Sequence, residues 1–120
     1  MATSILRDKS YRFALQVVSL YKKMISENKE YVLSKQLLKS GTSIGALIHE
    51  AEFAQSRLDF ISKLAIALKE SNETDYWISL LCDSSLLSAE IAMKLKDSNN
   101  ELKSMLISSI KTAKNNPQSK

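Results

Sequence analysis

At 120 residues, with 44% hydrophobic and 25% charged residues, the chain has the size and composition of one globular domain that needs neither disulfides nor metal to fold. Its apolar windows, such as Leu64–Leu68, are far shorter than the ~20 residues that span a bilayer, so we expect no transmembrane segment. The net charge of +4 is modest. We expect a cytoplasmic protein, because Cys82 is the single cysteine and the first ten residues contain no apolar run of the kind found in signal peptides.

The first predicted helix spans about residues 7 to 27. Phe13, Val17, Leu20 and Met24 recur with the spacing of one helix face, and the residues one position later repeat the pattern. Two adjacent apolar rows predict a wide buried face. A short connection at 28–29 should follow.

The second predicted helix, about residues 32 to 54, contains both glycines of the chain, although a glycine inside a helix costs ~1 kcal/mol relative to alanine. One explanation is a break at Gly41, but the capping-box position of the next helix would then hold Gly45 or Ala46 instead of Glu or Gln. The other is a continuous helix whose small residues form a groove that a second helix approaches closely, within the chain or from another subunit. The groove residues are Ser40, Gly41, Ser43, Gly45 and Ala46.

Two further helices complete the pattern. The third begins after Ser56, the expected N-cap, and ends at Leu81 or Cys82. The fourth spans about residues 87 to 115 and carries its lysines along one side. The stretch 97–100 has low helix propensity, so a break there is an open alternative.

The fold class follows from these periods. Because no window alternates with period two between turn residues, the chain is predicted to be all-α. Short connections make successive helices antiparallel, which predicts an up-down-up-down four-helix bundle. We expect residues 1–115 to form a single domain and residues 116–120 to be a disordered tail.

Charge is distributed along the chain as basic, acidic and basic segments. If the first and last helices are neighbours, their basic side chains would share an outer surface that binds RNA or DNA phosphates. These candidates are Arg7, Lys9, Arg12, Lys22, Lys23, Lys103, Lys111 and Lys114. The alternative is that the charges only solvate helix faces and that the protein is a scaffold for other proteins.

Catalytic or metal chemistry is not indicated by the side chains. Di-metal bundles use Glu-x-x-His pairs, yet the only histidine, His49, has Ala46 three residues before it. A lone helical cysteine such as Cys82 is typical of packing, and no glycine precedes a lysine as a phosphate loop requires. We therefore expect no enzyme and no cofactor. Polar links between helices are instead predicted for Glu50, Lys63, Lys69, Glu70, Glu73 and Trp77.

Two stretches of the sequence resemble a known family. The run LLKSGTSIGA from Leu37 to Ala46, continuing to Ala51, resembles the signature RSGTSIGANIxEA of the bacterial four-helix-bundle proteins, also called 23S rRNA intervening-sequence proteins. Residues 59–77 resemble that family's second signature, DFxxKxxIALKExxETxYWL. One departure is Leu47, where the family usually has Asn, and His49 occupies a variable position.

The resemblance implies an antiparallel four-helix bundle that assembles as a ring-like homopentamer. Some members of the family are encoded inside spacers of 23S rRNA genes. A related branch serves diversity-generating retroelements as an accessory protein that binds nucleic acid and the reverse transcriptase. The implied partners of this chain are therefore further copies of itself, RNA or DNA, and a reverse transcriptase or other protein.

Overall fold

The computed structural model describes the backbone of residues 2–115 and the side chains of residues 5–115. Four helices follow one another: α1 (Ala2–Lys23), α2 (Leu33–Ala51), α3 (Arg57–Asp83) and α4 (Ala89–Lys114). Each packs against the next, and α4 returns to α1, giving a rod of 50 × 21 × 19 Å. The predicted all-α, up-down-up-down four-helix bundle is thereby confirmed. The predicted tail, residues 116–120, lies outside the described residues.

Across residues 2–115, none of the helices combines the length and the apolar character that crossing a membrane would require. The bundle instead buries its apolar side chains between the helices. The largest of them are Phe13, Leu6, Met24, Leu37, Ile44, Ile48, Leu64, Ile78, Leu81, Leu102 and Leu106.

Both ends of the first predicted helix differ from the prediction. Residues Met24–Asn28 form a π-helical turn, and the helix starts at Ala2 rather than near residue 7. Met24 stays buried, while Lys29 adopts a left-handed conformation with φ 56° and donates its N–H to the Met24 carbonyl. The wider turn thus keeps Met24 in the core as the chain turns towards α2.

The remaining boundaries are set by local hydrogen bonds. The N–H groups of Glu52, Phe53 and Ala54 bond to carbonyls three residues earlier, at 3.2, 3.0 and 3.1 Å. The α-helix therefore ends at Ala51 in a tighter turn, whereas the prediction continued it to about residue 54. Ser56 caps α3 by accepting from the Asp59 N–H at 3.0 Å, as predicted, and Ser88 caps α4 in the same way.

Helix α2 runs without interruption through both glycines. The Thr42 and Ser43 hydroxyls donate to the Leu38 and Lys39 carbonyls of the preceding turn, at 2.7 and 2.6 Å. Because these hydroxyls bond inside the helix, they cap no new one. The continuous-helix alternative is confirmed and the break is excluded.

The two glycines let α1 approach α2 closely. A Cβ atom added at Gly41 would lie 3.0 Å from Val17 Cγ2, and one at Gly45 would lie 3.3 Å from the Ser10 carbonyl oxygen. Both distances are shorter than ordinary van der Waals contact. The glycines therefore pack within the chain, whereas Ala46 remains exposed on the outer side of α2.

Buried polar side chains join α2 to α3 and α3 to α4. Thr74 on α3 donates to Ser40 on α2 at 3.0 Å. Ser71 on α3 donates to Asn99 Oδ1 on α4 at 2.7 Å, and Asn99 Nδ2 returns a bond to the Ser71 carbonyl at 2.9 Å. Because Asn99 is fully buried and bonded, α4 stays helical through the low-propensity stretch 97–100.

Some of the residues predicted to form polar links between helices do form bonds, but with partners on the same helix. Trp77 donates to Glu73 at 3.2 Å, but Lys63 pairs with Asp59, four residues earlier on its own helix, at 3.3 Å. Glu50 and Lys69 are exposed. Trp77, Glu73 and Lys63 therefore form their bonds within α3 rather than between helices.

Glu70 on α3 has a carboxyl group whose pKa is raised in the folded protein. Desolvation by partial burial and repulsion from Glu73 raise the pKa of Glu70, and the opposing attraction of Lys69 and Lys39 is smaller. A raised pKa in the folded state means that the charged form is disfavoured there. Glu70 consequently destabilises the fold at pH values where its carboxylate is ionised.

Replacing Gly41 by Ala should lower the free energy of unfolding by about 1 kcal/mol, because overpacking against Val17 exceeds the gain in helix propensity. In a Val17→Ala background the same change should stabilise the protein, since the space is then open. Urea denaturation of the four variants measures this coupling. Equal effects in both backgrounds would contradict the close approach. Ala46→Gly, at an exposed position of the same helix, should cost ~1 kcal/mol in either background.

Glu70→Gln should raise the free energy of unfolding at pH 7 by about 0.5 kcal/mol, because it removes a disfavoured charge beside Glu73. The gain should shrink as the pH falls through the raised pKa of Glu70 and vanish below the unfolded value, where both proteins are neutral at this position. Chemical denaturation between about pH 3 and pH 7 tests this. The exposed Glu50→Gln should show no such trend. A gain that grows towards low pH would refute the assignment.

Candidate nucleic-acid interface

The cations at the start of α1 lie beside carboxylates. Arg7 Nη1 contacts Glu52 Oε2 at 3.1 Å, and Arg7 Nε lies 3.6 Å from Asp8. Lys9 reaches across to α4 and pairs with Glu101 at 3.1 Å. The positive charge in this region is therefore largely balanced, even though each exposed pair is worth little in stability.

The cations at the end of α1 lie at the opposite end of the rod. Lys22 and Lys23 are exposed in the last turn of α1. They stand beside the α1–α2 connection, which also exposes Tyr31 and Val32. Neither residue was predicted to have a functional role, although Tyr31 is detectable in the sequence as an aromatic residue between two predicted helices.

The lysines of α4 form a third group. Lys96 donates to Ser79 and lies 3.5 Å from Asp75, so this side of α4 faces α3. Lys103 and Lys114 follow seven and eighteen residues later and share that side, because a helix repeats at these spacings. Lys111 projects further outward and is exposed.

This third group, which we call the α4 stripe (Lys103, Lys111 and Lys114), has few acidic neighbours. No carboxylate occurs on α4 between Leu102 and Lys114. Residues 57–69 of α3 run antiparallel beside this part of α4. Asp59 is the only carboxylate in that segment, and it already pairs with Lys63. The stripe is thus a surface of uncompensated positive charge.

The eight predicted cations therefore do not share one surface. Glu101 on α4 pairs with α1, whereas the side of α4 that bears Lys103 and Lys114 faces α3. The first and last helices are neighbours as assumed, but the lysines of the last helix point away from their common seam. The set divides into the start of α1, the end of α1 and the α4 stripe.

An open groove of about 720 Å³ lies between the outer sides of α1 and α2. Its walls include Ala14, Thr42, Gly45 and Ala46. Tyr11 on its rim is 65% exposed. We refer to it as the α1–α2 groove. Its small-residue floor follows from the close helix approach at the two glycines.

Side chains of catalytic or metal-binding type do not converge in the described part of the chain. No group of three His, Cys, Asp or Glu side chains is placed to hold a metal ion there. His49 lies near the end of α2, edge-on to the Phe53 ring with 5.4 Å between centroids. Cys82 lies near the end of α3, at the other end of the rod, so the two cannot act as nucleophile and base.

Comparison with known proteins places this architecture in context. A family model described as 23S rRNA-intervening sequence protein matches residues 3–108. A crystal structure from Bacteroides thetaiotaomicron, of a protein with unknown function from the S23 ribosomal protein family, is 51% identical with a TM-score of 0.91. That similarity covers 92% of this chain and 99% of the other. No curated protein matches the chain.

Proposed function

The chain belongs to the 23S rRNA-intervening sequence protein family, and on that premise we propose that it is a non-enzymatic, self-associating cytoplasmic protein that binds RNA or DNA through the α4 stripe. The observation that carries this proposal is the run of α4 from Leu102 to Lys114, which bears three lysines and no carboxylate. Lysine ammonium groups on an exposed helix contact phosphates without reading bases. Recognition would then depend on charge and shape.

Self-association would strengthen this contact. A ring of five subunits, which is the assembly we propose, presents the stripe five times to one strand of nucleic acid. Linked weak contacts gain affinity because each later one forms at a high effective concentration. A net charge of +4 per chain would add long-range attraction.

The alternative function is a scaffold that binds proteins without nucleic acid. The observation that favours it is the α1–α2 groove, which has the exposed Tyr11 on its rim and the exposed Phe53 ring against His49 of its wall. Exposed apolar patches rimmed by charges mark protein-binding surfaces. In this alternative a second copy or another protein, such as a reverse transcriptase, occupies the groove.

Titration of fluorescently labelled single-stranded RNA tests the nucleic-acid proposal. If one chain's stripe makes three phosphate contacts, affinity should fall by about 20-fold between about 50 and 200 mM salt, and more steeply for each further subunit that engages the same strand. Replacing Lys103, Lys111 and Lys114 together by Gln should weaken binding and flatten the salt dependence, by about one unit of slope per lysine at most. Fluorescence anisotropy gives both quantities.

The matched control removes the same number of charges from the start of α1. Changing Arg7, Lys9 and Arg12 together to Gln should leave affinity and salt slope close to those of the wild type, because carboxylates already pair with two of these cations, Arg7 and Lys9. Equal losses in both triple variants would show that net charge alone matters. Absence of binding by the wild type at low salt would leave only the scaffold function.

Self-association is tested by light scattering. The wild type should show several times the chain mass of 13.5 kDa. Ala46→Arg places a charge on the exposed wall of the α1–α2 groove and should shift the mass towards that of one chain if the groove is the contact. Met93→Arg adds the same charge at an exposed position of α4 and should change nothing. A wild-type monomer at micromolar concentration would refute self-association.

A further inference from the structure

The tip of the α1–α2 hairpin exposes an aromatic ring among lysines. Tyr31 and Val32, on the connection between the π-helical turn and α2, are 56% and 69% exposed. We call the segment from Lys29 to Val32 the hairpin tip. Large apolar side chains that are this accessible on a connection commonly serve binding.

The hairpin tip is held rigidly despite its exposure. The Glu30 carboxylate accepts hydrogen bonds from the N–H groups of Val32, Leu33 and Ser34 at 3.0, 3.0 and 2.7 Å. The Ser34 hydroxyl donates to the Glu30 carbonyl at 2.7 Å. The carboxylate therefore satisfies the free N–H groups at the start of α2 in place of a conventional N-cap.

The residues that flank the hairpin tip carry more positive than negative charge. Lys22, Lys23, Lys29 and Lys35 all lie within nine residues of Tyr31 along the chain and are all exposed. Glu30 is engaged with backbone N–H groups; partial burial opposes its ionisation, but these bonds outweigh burial and lower the pKa of Glu30. Glu27 is the remaining carboxylate between Lys22 and Lys35.

We propose that the hairpin tip is a base-stacking site for single-stranded nucleic acid, in which a base stacks on the Tyr31 ring and the surrounding lysines contact the adjoining phosphates. This inference rests on the proposed function and adds a contact to unpaired bases that the α4 stripe does not offer. An exposed aromatic ring flanked by cations is the usual arrangement for binding single strands without sequence preference. Since the Glu30 hydrogen bonds already hold the backbone of the hairpin tip, binding orders little additional chain.

A membrane surface fits the hairpin tip less well. Tyr31 and Val32 are the two large apolar side chains exposed on it, which is little area for insertion into a bilayer. Stable membrane attachment depends on more buried apolar area or on a second anchoring signal. One ring is sufficient to stack one base.

The test compares Tyr31→Ala with wild type on three probes: single-stranded oligouridine, an RNA duplex of the same length, and vesicles of phosphatidylserine. Loss of the ring should weaken oligouridine binding by about tenfold, because stacking on one aromatic contributes on that scale. Duplex binding should be unchanged, since paired bases are already stacked. Tyr31→Phe should bind oligouridine like the wild type. Thermal unfolding followed by circular dichroism should be the same for all three proteins, because the side chain is exposed.

Each contrary outcome has a distinct meaning. Oligouridine binding that is equal in Tyr31→Ala and wild type overturns the stacking site and leaves the proposed function intact. Equal losses on oligouridine and duplex overturn stacking, because the ring would then act without unpaired bases. Vesicle binding that requires Tyr31 overturns it in favour of a membrane. Wild type that binds neither RNA at low salt overturns the proposed function as well.

Discussion

The close approach of α1 to α2 at Gly41 and Gly45 is the constraint on which the rest of the structure depends. Val17 and the Ser10 backbone occupy the space that side chains at these positions would fill. This contact fixes the rotation of α1, and with it which cations of that helix meet carboxylates. It also opens the shallow, small-walled groove on the outer side of the same two helices.

The buried polar bonds complete the alignment that the glycines begin. Ser40 with Thr74, and Ser71 with Asn99, tie α2 to α3 and α3 to α4. Among the described residues, every buried side-chain nitrogen or oxygen has a partner, and a shift of one helix along another would leave several without one. Such a loss costs more than each bond contributes to stability. The polar bonds therefore select one register from several that apolar packing alone would allow.

This alignment gives the rod an uneven charge distribution. The start of α1 meets Glu52 and Glu101, so its cations are balanced. The end of α1 and the second half of α4 lack such partners and lie at opposite ends of the molecule. Two separate basic regions result, one with an exposed aromatic ring and one with lysines only. Under the proposed function they would make different contacts with one nucleic acid: stacking on bases at the hairpin tip, and contacts with phosphates at the α4 stripe.

Sequence by itself determined the helices and their antiparallel order, because helical periodicity and short connections are local properties of the chain. The family was indicated by the resemblance of residues 37–51 and 59–77 to its two signatures. At the glycine stretch the sequence offered two alternatives, a helix break or a close helix contact, and the structure decided for the second. Only the tertiary structure decided that the glycines face α1, that Asn99 is buried, and that the lysines of α4 lie away from those of α1. These outcomes depend on the rotation of each helix about its axis. That rotation is set by contacts between residues distant in the chain, such as Val17 with Gly41 and Ser71 with Asn99.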